Sequence, residues 1–418
     1  MKIILYSSVQ LCILFVLLSS SCSKTLKKNI LNEFKDVDTE KVESNIKEFS
    51  YTEQSPVKIT VSNFKEHQLK FSDVFYSISV VRLSNEDNAI IGDINKLIIY
   101  DSCVYVLDRY KTKSIKKFSL KGEYLATIGS RGQGPQEYVE PTDFIVFNDE
   151  IIIYDQFKTD FTHYDTNGKF KKRKRVPFLF LKFSCFSQNK YVFHSLDADN
   201  DHLQSIVNFS IFESDSSFVL NRRGFYRPKN KYVSLIIENN FFPTKDRIYY
   251  HPLYCDTIYS IDSDNNYKVE YIMDFGKKKL PEDYKLQSNR RESRNIADTD
   301  KYVFFNANYV PTENFLYFEY VINHLIYKSI YSKKTNSLIS GSHIVDDINY
   351  FFSLLNIKTS MDNNILVGYI NAYGFEEILK KYSREDLVKS FGEESICFLE
   401  KIKDDDNPLL FFCKIKDF

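Results

Sequence analysis

The chain has no excess of charge of either sign. Its 418 residues contain 56 Lys and Arg and 56 Asp and Glu, so the formal net charge is zero. Proteins that bind nucleic acid through their overall charge carry a surplus of basic residues. The balance therefore argues against a protein that is steered to a polyanion, and we expect no nucleic-acid partner.

Several motifs that carry chemistry are also missing. The sequence contains no Cys-x-x-Cys pair, no His-Glu-x-x-His and no Gly-x-Ser-x-Gly. Those spacings are typical of redox or zinc sites, of metalloproteases and of serine hydrolases. The sequence consequently nominates no catalytic residue, no metal ligand and no cofactor. Enzymatic activity is unsupported by the motifs, although they do not exclude it.

The seven cysteines do not form a disulfide framework. Cys12 would leave with a signal peptide and Cys22 would carry lipid, so five cysteines remain in the mature chain. An odd number leaves at least one thiol unpaired. All five lie in or beside apolar, strand-like text, and we predict that they are small core residues. They are Cys103, Cys185, Cys255, Cys397 and Cys413.

The N-terminus predicts export. Lys2 precedes a largely apolar stretch over residues 3–18, and a run of three serines leads to Cys22. This order is that of a secretory signal, and the stretch is too short to be a convincing permanent span. The ending Leu-Ser-Ser-Ser-Cys resembles a bacterial lipobox, although Ser19 stands where a large aliphatic residue is usual. We therefore predict a signal peptide over 1–21, with ordinary cleavage and release as the alternative.

Two copies of one β-rich unit follow. Residues 97–128 and 144–170 repeat the same order of short strands, with turns at Gly122 and Gly168. The two copies are offset by 46 to 47 residues, as Asp108 and Asp155 show. A period in this range with four short strands is typical of a β-propeller blade. The high content of Phe and Tyr, together 16% of the residues, suits half-buried strands.

The remaining text supplies four more blades with less regular spacing. We predict an all-β protein, a six-bladed β-propeller over 63–418, with a lipidated tether over 22–62. The strand at 75–81 should pair with the strand at 409–415 in the last blade and so close the ring. Insertions fill the extra length, and the apolar spacing over 374–392 predicts a small helix.

Four motifs together resemble a known family. They are Gly129-x-x-Gly-x-Gly-Pro-x-Glu-Tyr138, Asp256–Tyr259, Asp274–Gly276 and the closing segment Asn407–Lys416. The chain is similar over about residues 60–418 to the six-bladed β-propeller lipoproteins of Bacteroidetes, whose blades are similar to NHL repeats. The resemblance implies this fold and an envelope location, and it implies no particular activity.

One loop is the leading candidate for a binding site. The glycines of the segment Arg131–Tyr138 would allow a nest of exposed N–H groups beside an arginine, which suits an anion. The alternative is a crossover between blades whose Glu137 and Tyr138 bond neighbouring backbone. The loops that follow Asp108 and Asp155 would line the same face, so the candidate binding residues are Arg109, Arg131, Glu137, Tyr138 and Asp155.

Two charged segments have a second interpretation. Asp197, Asp199 and Asp201 have the alternation of a calcium loop, but they lack the glycine and the glutamate that an EF-hand needs. A solvated hairpin tip fits them better. The basic run over 169–175 would bind anionic lipid or the phosphates of lipopolysaccharide, or it would simply protect the edge of an outer strand.

These observations predict a binding or scaffold module in the cell envelope. Its partner would be a protein, a peptide or a glycan, and the membrane would be reached through Cys22. An envelope hydrolase or lyase acting on carbohydrate is the alternative, with carboxylates on inner strands as acid and base. The residues after Cys22 are basic and not acidic, which favours the periplasmic face of the outer membrane over the cell surface.

Overall fold

A computed structural model describes residues 33–52, 55–62, 64, 68–187, 189–195, 198–226, 240–252, 255–262, 266–281, 300–345 and 355–418. Six sheets, each built on four antiparallel strands, account for most of these residues, and two of them are extended by added parallel strands. The predicted six-bladed β-propeller is confirmed. None of the helices in the described ranges is long and apolar enough to cross a bilayer.

Each blade has four strands, named first to fourth from the centre outward. Blade 1 comprises Lys96–Tyr100, Cys103–Asp108, Ser114–Ser119 and Tyr124–Thr127. Blade 2 comprises Pro141–Phe147, Glu150–Asp155, Asp160–Asp165 and Phe170–Arg175. Blade 3 comprises Lys182–Ser187, Lys190–His194, Phe209–Asp215 and Leu220–Tyr226. The regular first two blades are thus the two sequence repeats.

The later blades keep the same order. Blade 4 comprises Phe241–Pro243, Arg247–Tyr250, Thr257–Asp262 and Tyr267–Asp274. Blade 5 comprises Phe304–Pro311, Phe315–Ile322, Leu325–Ser332 and Leu338–Gly341. Blade 6 comprises Asn356–Met361, Ile365–Ile370, Leu409–Ile415 and Phe75–Arg82. Its fourth strand therefore comes from the N-terminal part of the chain.

That fourth strand closes the ring as predicted. Phe75–Arg82 runs antiparallel to Leu409–Ile415, with Val81 opposite Leu410 and Ser79 opposite Phe412. Pairing the two ends of the propeller in one blade leaves no gap in the ring and removes two free sheet edges. Asn407 adds a second tie, because its side-chain oxygen accepts from the N–H of Ile91 at 2.7 Å.

The segment before this strand lies against the propeller. We call its described residues between 33 and 70 the N-terminal strap, because they follow the outer edges of the blades. The strap adds the parallel strands Lys47–Glu48 to blade 3, and Tyr51–Thr52 and Val57–Thr60 to blade 4. Gln68–Lys70 then pairs with His343–Val345. Of the predicted tether over 22–62, the described residues from 33 onward are attached to the propeller by strand pairing and by the burial of apolar side chains such as Ile59.

Helices are short and few in the described part of the chain. Thr39–Val42 lies in the strap, with Asp38 accepting from the N–H of Lys41 at its start, and Phe71–Val74 precedes the closing strand. Blade 6 carries the predicted helical insertion between its second and third strands, as Ala372–Lys381, Arg384–Phe391 and Glu393–Leu399. Single 3-10 turns occupy Asp87–Ala89 and Gly276–Lys278.

The core lies between neighbouring blades and is rich in aromatic rings. Between blades 2 and 3, for example, the ring of Phe161 lies 4.6 Å from that of Phe183, and the ring of Tyr154 stacks on Phe180 at 3.8 Å. Such pairs add to the burial of apolar area. The aromatic content of the sequence thus fills the wedges that separate the blades.

No disulfide joins any two of the five described cysteines. Cys185 and Cys413 are buried, in agreement with the prediction of core residues, whereas Cys397 is exposed. The prediction is wrong for Cys397 because its segment is a helix and not a strand. Helical spacing turns Ile396 and Leu399 into the core and leaves Cys397 on the outside.

Candidate functional site

The candidate site lies on one face of the ring, which we call the upper face. The first strands of the blades begin there and the second strands end there, as the pairing of Lys96 with Leu107 and of Pro141 with Asp155 shows. The crossovers between blades and the loops between second and third strands therefore share this face. The crossover Arg131–Tyr138 and the loops after Asp108 and Asp155 all belong to it.

Asp108 and Asp155 play the same part in two blades. The carboxylate of Asp155 accepts hydrogen bonds from the backbone N–H groups of Val139 at 2.5 Å, Phe157 at 2.9 Å and Lys158 at 3.3 Å. The carboxylate of Asp108 accepts from Gly92, Lys111 and Thr112 at 2.7 to 3.0 Å. Both residues are fully buried. Each carboxylate thus ties a loop to the preceding crossover.

A second hydrogen bond occurs at equivalent positions in blades 1 and 2. The side-chain oxygen of Asn95 accepts from the N–H of Arg109 at 2.7 Å, and the hydroxyl of Thr142 accepts from the N–H of Gln156 at 3.2 Å. Each acceptor precedes or begins a first strand, and each donor follows the aspartate that ends a second strand. The first residue of each loop is therefore bonded at the start of a first strand, and the following residues are bonded to the buried aspartate. These bonds make the loops after Asp108 and Asp155 stiff.

The glycine-rich loop is closed by its own glutamate. The Oε2 atom of Glu137 accepts from the N–H of Gly134 at 2.8 Å, and a Cβ atom on Gly132 would overlap the same carboxylate. The glycines therefore make room for an internal anion. This contact is the one expected of a crossover between blades in which Glu137 bonds the neighbouring backbone.

Tyr138 and two cations fix the rest of this loop. Tyr138 is fully buried and its hydroxyl donates to the carbonyl of Ile128 at 3.0 Å, and burial raises the pKa of that hydroxyl. Lys158 donates to the carbonyls of Gly134 and Glu137 at 3.1 and 3.0 Å, and Arg173 also reaches Glu137. The crossover is thus a rigid part of the upper face.

The upper face carries two exposed aromatic residues, one exposed arginine and one half-buried arginine, which we call the upper rim. Tyr110 and Phe157 occupy equivalent positions after Asp108 and Asp155, and they are 51% and 62% exposed. The guanidinium of Arg109 lies 5.3 Å from the ring centre of Tyr110, and its buried Nε has no hydrogen-bond acceptor among the described residues. Arg131 is exposed on the crossover. Of the predicted site residues, Arg131 is exposed and Arg109 is half-buried, whereas Tyr138 and Asp155 are buried.

A buried charge cluster joins the first three blades beneath the rim. Asp143 accepts a salt bridge from Lys96 at 2.8 Å and lies 3.8 Å from the Nζ of Lys182. Its second oxygen accepts from the N–H of Phe183 at 3.0 Å. None of these three residues is among the candidate binding residues predicted from the sequence. The cluster's only sequence signal is that Lys96 and Asp143 stand 47 residues apart and so occupy the same place in two blades.

The other candidate positions do not join the rim. Cys22 and Asp197 lie outside the described residues, so the structure says nothing of lipidation or of that acidic loop as a whole. No group of three His, Cys, Asp or Glu side chains in the described ranges could hold a metal ion.

Two buried histidines should make stability depend on pH. Burial lowers the pKa of His251 from 6.5 to about 4, and burial also lowers the pKa of His163, whose Nδ1 lies 3.3 Å from Glu150. Between pH 6.5 and pH 4 these two imidazoles bind protons in the unfolded chain but stay largely neutral in the folded protein. The free energy of unfolding should therefore fall as the pH drops from 6.5 towards 4, by about 2 kcal/mol at pH 5 for His251 alone.

Urea unfolding between pH 4.5 and 7.5 measures this dependence. A His163→Leu variant removes one buried imidazole, so its free energy of unfolding should vary less with pH than that of the wild type. His324→Gln removes an exposed imidazole and is the matched control. An equal slope for His163→Leu and the wild type would show that His163 does not contribute.

Comparison with known proteins gives a family and a structural relative. The profile of a family described as "Domain of unknown function (DUF4934)" matches residues 56–414. A crystallised protein of Bacteroides fragilis that is described as exported has a TM-score of 0.69 at 16% identity, over 87% of this chain and 100% of that one. At this identity the similarity shows the fold alone.

A second solved structure is more distant. A member of the DUF4221 family from Bacteroides vulgatus has a TM-score of 0.45 at 11% identity, over 82% of this chain and 98% of that one. No curated protein matches the sequence. The comparisons therefore supply a family and a fold, and the function has to be argued from the surface itself.

Proposed function

The chain belongs to the DUF4934 family, and on that premise we propose that it is an envelope lipoprotein whose propeller binds a protein, peptide or glycan on its upper rim. The observation that carries the proposal is the pairing of stiff loops with exposed aromatic side chains. Tyr110 and Phe157 stand at equivalent positions, each held up by a buried aspartate. Preorganised loops lose little entropy when they bind.

The chemistry of the rim suits a flat, polar ligand. Aromatic rings stack on the apolar faces of sugar rings and of peptide side chains, and they present large area at low cost in conformational entropy. Arg109 and Arg131 add planar donors that can bind a carboxylate or a carbonyl oxygen.

The envelope location is supported by the sequence and by a relative. The signal-like N-terminus with Cys22 predicts export and lipidation, and the structural relative from Bacteroides fragilis is described as exported. Two acyl chains on Cys22 would hold the protein on a membrane far more firmly than one. We retain the periplasmic face of the outer membrane as the proposed location.

The alternative of a carbohydrate-active hydrolase or lyase receives less support from this surface. A glycosidase needs two carboxyl groups that reach the scissile bond. The carboxylates of Asp108, Asp155 and Glu137 are engaged with backbone N–H groups of the loops themselves. A binding module gives saturable association without product, whereas the enzyme gives turnover with a bell-shaped pH profile.

A binding experiment tests the proposal. Tagged wild-type protein and a Tyr110→Ala/Phe157→Ala variant are applied to glycan and peptide arrays, and are used for crosslinking capture from native envelope membranes. We expect the double variant to lose at least about tenfold in affinity for the captured ligand, because the anchoring aromatic residues of an interface carry much of its energy. Its unfolding free energy should stay within about 0.5 kcal/mol of the wild type, since both rings are largely exposed.

Tyr76→Ala is the matched control, because this tyrosine is 72% exposed on the outer strand of blade 6, away from the rim. Equal binding by the wild type, the control and the double variant would contradict the proposed site. Conversion of a glycan by the wild type would replace the binding function by the enzymatic one.

A further inference from the structure

The strap adds no described strand to the outer strand of blade 2, although Asp36 of the strap accepts a hydrogen bond from Arg175 at the end of that strand, at 2.6 Å. At blades 3 and 4 the strap adds parallel strands to the fourth strands of the blades. The fourth strand of blade 2, Phe170–Arg175, pairs with Asp160–Asp165 on one side, and no further strand pairs with it among the described residues. An edge of this kind is a template for an added strand.

This edge is strongly basic. Lys171 and Lys172 are exposed, and Lys172 lies 3.8 Å from Glu150 with 54% of its side chain in solvent. Arg173 instead turns to the glycine-rich loop, and Lys174 donates to the carbonyl of Ser216 at 2.5 Å. The edge therefore combines backbone groups of a terminal strand with two solvent-facing lysines.

Cations on an outer strand usually discourage pairing, yet blade 3 shows that a basic outer strand can still accept an added strand. Its fourth strand carries Arg222 and Arg223 and accepts the added strand Lys47–Glu48 in parallel. Glu48 lies 3.5 Å from the guanidinium of Arg223. In the same pair Lys47 stands opposite Arg222, so a basic edge can accept a strand, and an acidic residue in that strand gains an ion pair.

We propose that the fourth strand of blade 2 binds an extended acidic segment of a partner protein, which adds to the edge as a parallel strand. Charge argues against two other occupants. Residues 23–32 of this chain contain Lys24, Lys27 and Lys28 and no acidic residue. A second copy of the same strand would place lysines opposite lysines. The proposal is independent of the upper rim, because it uses another surface of blade 2.

Designed peptides test this edge. The probe is a fluorescent, capped peptide of alternating Glu and Val, and its reference is the same peptide with Lys in place of Glu. We expect the full-length protein to bind the Glu peptide and not the Lys peptide. The backbone amides of residues 170–175 should gain protection from hydrogen exchange only with the Glu peptide, because strand addition engages them in hydrogen bonds.

Charge reversal supplies the decisive variants. Lys171→Glu/Lys172→Glu should weaken binding of the Glu peptide by at least about tenfold, while Lys121→Glu/Lys389→Glu should leave it within about twofold. The control changes the net charge equally at two exposed sites on blade 1 and on the helical insertion. Equal binding by the two variants, or no added protection over 170–175, would overturn the proposal.

Lipid vesicles test the remaining alternative, in which this edge contacts an anionic membrane and not an acidic segment of a protein. Vesicles of phosphatidylcholine and phosphatidylglycerol are floated with the wild type and with the same two variants. Binding to vesicles that depends on Lys171 and Lys172, together with no binding of the Glu peptide, would make the edge a membrane contact and overturn the proposal. Binding of the Glu peptide that needs both lysines supports it.

Discussion

Replacing Asp155 by alanine should lower the free energy of unfolding by about 3 kcal/mol. The substitution leaves the N–H groups of Val139, Phe157 and Lys158 without their common acceptor at a site that is closed to solvent. An unsatisfied buried donor costs about 1 to 3 kcal/mol, and bonds to a charged acceptor are at the upper end. Equilibrium unfolding in urea or guanidinium chloride measures the change.

Two further variants sharpen this test. Asp155→Asn keeps one acceptor oxygen and should lose about half as much stability. Asp246→Ala removes an exposed aspartate in a turn of blade 4 and should change the stability by less than about 0.5 kcal/mol. If Asp155→Ala kept its stability but lost ligand binding, Asp155 would be a ligand contact and its structural role would be refuted.

Gly224→Ala should destabilise the protein by about 2 to 3 kcal/mol, and a second substitution should cancel most of the effect. A Cβ atom at this position would overlap the ring of Phe49 in the strap. That ring stacks on Tyr267 at 3.8 Å, so the added methyl group must displace the ring or the strand. Overpacking of a well-packed contact typically has a cost of this size.

A double-mutant cycle separates this clash from other effects. Phe49→Ala alone should lower the stability by about 3 kcal/mol, because a buried stacked ring is lost. In that background Gly224→Ala should cost less than about 0.5 kcal/mol, which gives a coupling energy near 2 kcal/mol. Additive effects of the two substitutions in guanidinium unfolding would show that the strap does not pack on blade 3 as described.

The repeat could be found in the sequence because its signals are local. Short strands, turns at Gly122 and Gly168, and an offset of 47 residues between Asp108 and Asp155 need no knowledge of the rest of the chain. Both glycines adopt positive φ in the structure, +85° and +82°, as such turns require. The closing strand could be predicted too, since a propeller has to pair its two ends.

The strap and the helix around Cys397 were harder to predict. The added strands of the strap are two to four residues long, and they pair with residues far away in the sequence. The alternation of Val57, Ile59 and Val61 is a signal that could have indicated a strand. A short apolar run such as the one around Cys397 fits a helix or a strand equally well, so its neighbours in the fold decide.

The sequence by itself determined the architecture: the blade period, the number of blades and the closure of the ring. Only the tertiary structure decided what the polar residues of the repeats do. Asp108, Asp155 and Glu137 are residue types that often bind ligands. In the structure, however, their carboxylates accept hydrogen bonds from backbone N–H groups of the loops around them. Strand periodicity is a local property, whereas the partner of a polar side chain depends on which distant backbone groups the fold brings to it.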